Sequence, residues 1–115
     1  MSLSFILTVK RYAEEHFTDP GISLLSAAEE FGYSAKYLSE QFKRTFKIGF
    51  CNYLMDLRLN HAQKLILDGA RSVSEIALLC GFRDPLYFSK VFKKHTGQSP
   101  KEAILSIPRY NKKDG

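Results

Sequence analysis

The feature that most limits what this chain can become is an internal repeat. Ala28-x-x-x-Gly32-Tyr33 recurs as Ala77-x-x-x-Gly81-Phe82 at an offset of 49, and Tyr37-Leu38-Ser39-x-x-Phe42-Lys43-Arg44 recurs as Tyr87-Phe88-Ser89-x-x-Phe92-Lys93-Lys94 at an offset of 50. One extra residue enters the second copy in the Arg83-Asp84-Pro85 stretch. Self-similarity of this kind marks a supersecondary unit used twice. Each copy reads as a short helix, a glycine-ended turn and a second helix that starts within a few residues, the outline of a helix-turn-helix. The small Ala28 and Ala77 let the paired helices approach closely, and the glycine permits the positive φ that ends the first of them sharply. Hairpins of this outline also build purely structural repeats, so the outline alone leaves a binding role and a scaffolding role both open.

The segments around the two copies are helical as well. Phe5, Ile6, Val9, Tyr12 and Ala13 recur at three- and four-residue spacings and predict a first helix over Leu3 to His16. Glu14, Glu15 and Asp19 precede a break at Pro20-Gly21. Ser23 caps a second helix, Leu24 to Phe31, and Ser34 caps a third, Ala35 to Phe46, with Leu38 and Phe42 on one buried face. Phe50, Leu54, Leu57, His61 or Ala62, Leu65 and Ile66 then predict one helix of roughly 19 residues, about 28 Å long, ending near Asp68-Gly69. Ser72 and Glu75 form a capping-box pair for a fifth helix that stops before Gly81. Asp84-Pro85 starts a sixth that ends at Gly97, and Ser99-Pro100-Lys101-Glu102 starts a short seventh that runs to about Ile107. The expected fold is all-α: seven helices, two helix-turn-helix lobes over about 3–48 and 72–107, a linker helix over about 50–68, and a tail from 108 to 115.

At 115 residues and 44% hydrophobic content, the chain can bury a core without disulfides or metals. The expectation is one compact domain or two small lobes. Cys51 and Cys80 lie in apolar-periodic stretches with no CxxC, which predicts two buried, reduced core cysteines and a cytoplasmic setting. Neither a membrane-length apolar run nor a secretory signal pattern is present, so no membrane role is expected. The opening Met-Ser-Leu leaves open that the chain is an excised piece. His16, His61 and His95 share no ligand spacing, and no catalytic triad, Cys/His pair or glycine-rich phosphate loop can be assembled. No metal, cofactor or enzymatic activity is expected.

Charge separates the readings of the repeat. The chain carries +5 overall. Tyr33 to Ile48 holds four basic residues and one acid, net +3, and Arg83 to Gly97 is again net +3, which leaves −1 for everything else. At about 100° per residue, Lys36, Ser39, Glu40, Lys43 and Lys47 share one side of the third helix, opposite Leu38, Phe42 and Thr45. Leu86, Ser89, Lys90 and Lys93 share one side of the sixth, opposite Phe88, Phe92 and His95. A solvated charged face explains one such helix; two copies in register favour double-stranded DNA as partner. Successive major-groove faces on one side of B-DNA lie ~34 Å apart, and the linker helix with its turns could hold two reading helices near that separation, with DNA bending to make up any shortfall.

The strings Phe50-x-x-Tyr53-Leu54-x-x-x-Arg58-Leu59-x-x-Ala62-x-x-Leu65-Ile66 and Ile76-Ala77-x-x-x-Gly81-Phe82-x-Asp84-Pro85-x-Tyr87-Phe88-Ser89-Lys90-x-Phe92-Lys93-Lys94-x-x-Gly97-x-Ser99-Pro100 resemble the DNA-binding domain of the AraC/XylS family of bacterial transcription regulators. The resemblance runs from about Leu3 to Pro108. It implies that the third and sixth helices enter neighbouring major grooves, with Lys36, Ser39, Glu40, Leu86, Ser89 and Lys90 facing bases. Lysine can donate to guanine, glutamate can accept from cytosine, and Leu86 can touch a thymine methyl. Lys43, Arg44, Lys47, Lys93 and Lys94 are expected on phosphates. The resemblance further implies an activator that contacts RNA polymerase and a regulatory or dimerisation domain outside these residues. The first copy departs from the family pattern at Lys47, where the second has Gly97. A side chain there costs roughly 1 kcal/mol in the left-handed conformation and predicts an altered or more mobile helix end. Gly49 stands where a serine cap is expected.

Two groups keep alternative readings. Arg58 either contacts phosphate or ties the lobes together through carboxylates or carbonyls, and its mostly apolar surroundings favour the second. Tyr33, Tyr37, Tyr53 and Tyr87 read as packing residues rather than base-stacking platforms, which weighs against an RNA binder. A helical adaptor for an acidic protein remains the rival from another class; it would show no preference among DNA sequences.

Overall fold

The computed structural model describes residues 3–108, which form seven α-helices and no strand. They are α1 (Leu3–His16), α2 (Leu24–Phe31), α3 (Ala35–Phe46), α4 (Phe50–Leu67), α5 (Val73–Leu79), α6 (Pro85–Thr96) and α7 (Pro100–Leu105). The tail expected from residue 108 lies, beyond Pro108, outside the described residues. The helix starts follow from the caps. Ser23 and Ser26 bond each other's backbone N–H, Ser34 accepts from Tyr37 N at 3.0 Å, and Asp84 accepts from Leu86 N at 2.9 Å. Ser99 and Glu102 close a full capping box. The box expected at Ser72 forms by half: Ser72 accepts from Glu75 N at 3.2 Å, and the Glu75 carboxylate makes no return bond among the described residues. Gly32 (φ 75°) and Gly81 (φ 96°) end the first helix of each copy, after which Tyr33 N and Phe82 N reach back to Ala28 O and Ala77 O, both at 2.9 Å.

The chain divides into two compact units between Arg58 and Leu59, so α4 is shared. In the first unit Ile6, Val9 and Ala13 of α1, Ala27 and Ala28 of α2, Leu38 and Phe42 of α3, and Phe50 and Leu54 of α4 form a buried core. The second unit buries Leu59, Ala62 and Ile66 of α4, Ile76 and Ala77 of α5, Phe88 and Phe92 of α6, and Pro100 and Ile104 of α7. The correspondence is positional. Leu38, Phe42, Phe50 and Leu54 match Phe88, Phe92, Pro100 and Ile104 at the same offset of 50, and the three-then-four spacing of Ile6, Val9 and Ala13 returns in Leu59, Ala62 and Ile66. The start of α4 therefore does in the first unit what α7 does in the second, and the end of α4 does what α1 does. Burying each of these phenylalanines contributes on the order of 1.5–3 kcal/mol.

This double duty corrects the single apolar stripe expected along α4. Buried positions jump five residues, from Leu54 to Leu59, while Leu57, His61 and Leu65 are only half-buried. A helix that serves one core keeps three- and four-residue steps; this one changes register because each half faces its own core. The cysteine expectation is also half corrected. Cys80 is fully buried, whereas Cys51 is exposed, since it follows the buried Phe50 and is turned about 100° from it.

Candidate nucleic-acid interface

The second helix of each copy, α3 or α6, is held by an aromatic floor. The Phe42 ring meets Phe46, Phe50 and Tyr53 at centroid distances of 4.8, 5.3 and 5.6 Å. Phe88 lies 5.5 Å from Phe92 and 5.0 Å from Phe82. With these rings inward, the opposite faces are left to water. On α3, Lys36, Glu40, Lys43 and Arg44 are exposed and Ser39 is half-buried; on α6, Leu86, Lys90, Lys93 and Lys94 are exposed and Ser89 is half-buried. Each of these positions pairs with its counterpart at an offset of 50. Leu86 is 81% exposed and belongs to neither core.

The helices α3 and α6 end in the same way. Lys47 adopts the left-handed conformation (φ 65°, ψ 14°) and donates its N–H to Lys43 O at 2.8 Å, as Gly97 (φ 89°, ψ −8°) donates to Lys93 O at 2.7 Å. The end expected to be altered at Lys47 thus keeps the glycine geometry. The lysine side chain is exposed, and the strain falls on a backbone that the core residues on either side, Phe42 and Phe50, hold in place.

Support comes from behind α3. The Arg58 guanidinium donates to the carbonyls of Phe17, Asp19 and Ile22 at 2.7, 3.0 and 3.3 Å. It therefore binds carbonyls, as its apolar surroundings suggested, but all three belong to the α1–α2 connection of the first unit rather than to a second lobe. Lys10 bonds Glu14 at 2.8 Å and lies 5.7 Å above the Phe46 ring and 5.4 Å above the Tyr53 ring. The Tyr53 hydroxyl donates to the same Glu14 carboxylate. The Lys10 hydrogen bond, then that of Tyr53, hold the Glu14 carboxyl below its ordinary pKa. Burial, reinforced by Glu14, pushes the Tyr53 phenol up.

One expectation about side-chain direction needs correction. His95, placed with Phe88 and Phe92, is exposed; the covered stripe of α6 advances in steps of four to Thr96, which leaves His95 about 100° away. The four tyrosines read as packing residues all lie against other rings, Tyr33 on Phe5 at 4.2 Å and Tyr87 on Phe82 at 6.3 Å, with Tyr37 and Tyr53 half-buried and Tyr33 and Tyr87 exposed. Among the described residues no helix is long and apolar enough to cross a membrane, and no group of His, Cys, Asp and Glu is arranged to hold a metal ion.

Residues 27–104 match the family model described as a helix-turn-helix domain, which takes in both copies of the repeat. The chain is 38% identical over 94 residues to an uncharacterized HTH-type transcriptional regulator, YijO, of Escherichia coli K12, and 33% identical over 92 residues to the arabinose operon regulatory protein of the same organism. The chain belongs to the AraC/XylS family. These matches cover 82% and 80% of this chain but only 33% and 32% of the relatives, so the chain spans about a third of their length. Among solved structures, the C-terminal domain of AraT, a response regulator from Geobacillus stearothermophilus, is 32% identical with a TM-score of 0.85, covering 91% of this chain and 88% of that one. In the AraC/XylS frame α3 and α6 are the second helices of the two helix-turn-helix units, and the outward faces described above are theirs.

Proposed function

We propose that the chain is the sequence-specific DNA-binding module of a transcription regulator, which reads double-stranded DNA with α3 and α6 in adjacent major grooves. The observation that carries this is the matched pair of outward faces: Lys36, Ser39, Glu40 and Lys43 on one helix, Leu86, Ser89, Lys90 and Lys93 on the other, each opposite a buried phenylalanine. Lys36, Ser39 and Glu40, and Leu86, Ser89 and Lys90, face base edges. Lysine donates to guanine O6 or N7, Glu40 accepts from cytosine N4, and Leu86 offers only apolar contact, suited to a thymine methyl. Lys43, Arg44, Lys47, Lys93 and Lys94 bind phosphates and position the helices without reading sequence. The helix-turn-helix relatives named as transcription regulators support the same reading, which is one of recognition rather than catalysis. Since those relatives are about three times as long, a regulatory or dimerisation domain belongs to the proposal, as do action in the cytoplasm, where the DNA is, and contact with RNA polymerase in an activating role.

Selection of bound duplexes from a random pool, followed by salt titration of the winners, tests it. Two short preferred blocks about one helical turn apart are expected. Lys90→Ala should cost ~1–3 kcal/mol on the selected site and relax preference at one base pair, whereas Lys43→Ala should weaken binding to all sequences and lower the salt slope by about one. Salt-sensitive binding with no preferred sequence would remove the reading role from both helices.

A further inference from the structure

We propose that Tyr37 and Tyr87 are a matched pair of phosphate contacts, each phenol hydroxyl donating a hydrogen bond to a DNA backbone phosphate at the flank of its reading helix. The inference rests on the assignment of α3 and α6 to DNA and adds two residues that lie off their base-facing stripes. Tyr37 and Tyr87 are each the third residue of their helix, 50 positions apart. Between the copies the buried Phe42/Phe92 and the outward Ser39/Ser89 and Lys43/Lys93 are kept, while several other positions change. Leu38 becomes Phe88, and Tyr33 becomes Phe82 and loses its hydroxyl, yet the tyrosine at 37 and 87 is kept whole.

Each ring is anchored while its hydroxyl is unused. Tyr37 stacks on Tyr33 (centroids 5.4 Å, planes 23° apart) and on Phe5 (6.3 Å, 20°), and Tyr87 leans on Phe82 at 6.3 Å. Neither hydroxyl bonds to any described residue, in contrast to Tyr53, whose hydroxyl is taken by Glu14. A phenylalanine would pack as well at both positions, so packing explains the rings and leaves the hydroxyls unexplained.

Their neighbours on the helix surface point to an anion. Seven residues on from Tyr37 and Tyr87 stand Arg44 and Lys94, two turns and roughly 10 Å along the axis on nearly the same line. Each line sits about 100° from the base-facing Lys36 or Leu86. Residues four on, Gln41 and Val91, carry no charge. The nearest acids are Glu40, three residues after Tyr37, and Asp84, three before Tyr87, whose carboxylate is already engaged with Leu86 N, so each flank offers a phenol and a cation with one acid beside them. A phosphate oxygen is an acceptor with no donor of its own, and tyrosine hydroxyls are among the groups that fix register on the duplex through it. A ring held by stacking loses little freedom on binding, which suits a contact that sets the height of the helix in the groove.

The test uses Tyr37→Phe and Tyr87→Phe in the full chain, measured on the duplex that the parent selects, on a scrambled duplex, and on the selected duplex with single phosphates replaced by methylphosphonate. Each variant is expected to lose roughly tenfold in affinity on both natural duplexes with their ratio unchanged. One methylphosphonate position should weaken the parent and leave the corresponding variant unaffected. Parent-like affinity in both variants overturns the proposal while DNA binding stands. So does a changed ratio, which would make the tyrosines base readers, or additivity at every methylphosphonate. If the parent binds no duplex, the DNA assignment fails, and this inference fails with it.

Discussion

The two units arrive at the same corner by different local chemistry. In the second unit α6 ends on Gly97, which adopts the left-handed conformation without a Cβ penalty, and α7 starts on the Ser99–Glu102 capping box. In the first unit α3 ends on Lys47, which adopts the same conformation at a cost, and α4 starts at Gly49, which has no side chain to cap it. Phe50 and Leu54 are nonetheless buried as Pro100 and Ile104 are. The corner is therefore imposed by what the next helix buries, and the local residues adjust only how strained it is. On the solvent side the copies diverge without structural consequence: exposed Glu29 and Glu30 on α2 stand where α5 has exposed Leu78 and Leu79.

The largest effects should come from the shared floor. Phe42→Ala and Phe92→Ala should each cost about 3–5 kcal/mol, and hydrogen exchange should place the loss of protection first in the unit that carries the change. Equal loss in both units from either variant would show that the shared α4 makes them one cooperative body. Next comes Arg58→Met, which removes three carbonyl contacts and should destabilise the first unit by roughly 2 kcal/mol in denaturant titration. Unchanged stability would mean that water replaces the guanidinium without loss.

A reciprocal exchange tests the corner itself. Lys47→Gly should stabilise the first unit by about 1 kcal/mol, and Gly97→Lys should destabilise the second by a similar amount. No atom lies within 4 Å of a Cβ built on Gly97, so the second cost is conformational rather than steric. Opposite signs of similar size would confirm that the core and not the residue sets the backbone. Gly49→Ser should add a few tenths of a kcal/mol, since the added Cβ meets nothing within 4 Å and the hydroxyl can cap α4. The smallest effect is on pH dependence. The folded-state pKa of Glu14 lies below its usual 4.5, so its stabilisation is present above that value and is lost as pH falls through the folded value. Glu14→Gln should flatten this part of the acid unfolding profile of the first unit, and a profile identical to the parent's would assign the acid loss to other carboxylates.

Much of this was legible in the residues. Caps and breakers are local, so Ser23, Ser34, Asp84 and Ser99 could be read directly, as could the glycines at 32, 81 and 97. The outward faces of α3 and α6 were legible because a buried pair four residues apart, Leu38 and Phe42 or Phe88 and Phe92, fixes the rotation of each helix. The exposure of Cys51 and His95 was not, because an apolar neighbourhood in sequence says little about where a stripe of buried positions ends. The hydroxyls of Tyr37 and Tyr87 were hidden for a related reason. A tyrosine at helical spacing reads as packing, and only its unused donor separates a ring that merely packs from one that also binds.

By itself the sequence determined the seven helices, the duplicated helix-turn-helix and which face of each reading helix turns outward. These depend on capping, periodicity and side-chain volume within a few residues. Tertiary structure alone decided that α4 changes its buried register between Leu54 and Leu59, that Arg58 serves the carbonyls of the α1–α2 connection, and that Lys47 takes a glycine's conformation. Each of those is set by partners distant along the chain, whose burial outweighs the roughly 1 kcal/mol that local preference can oppose to it.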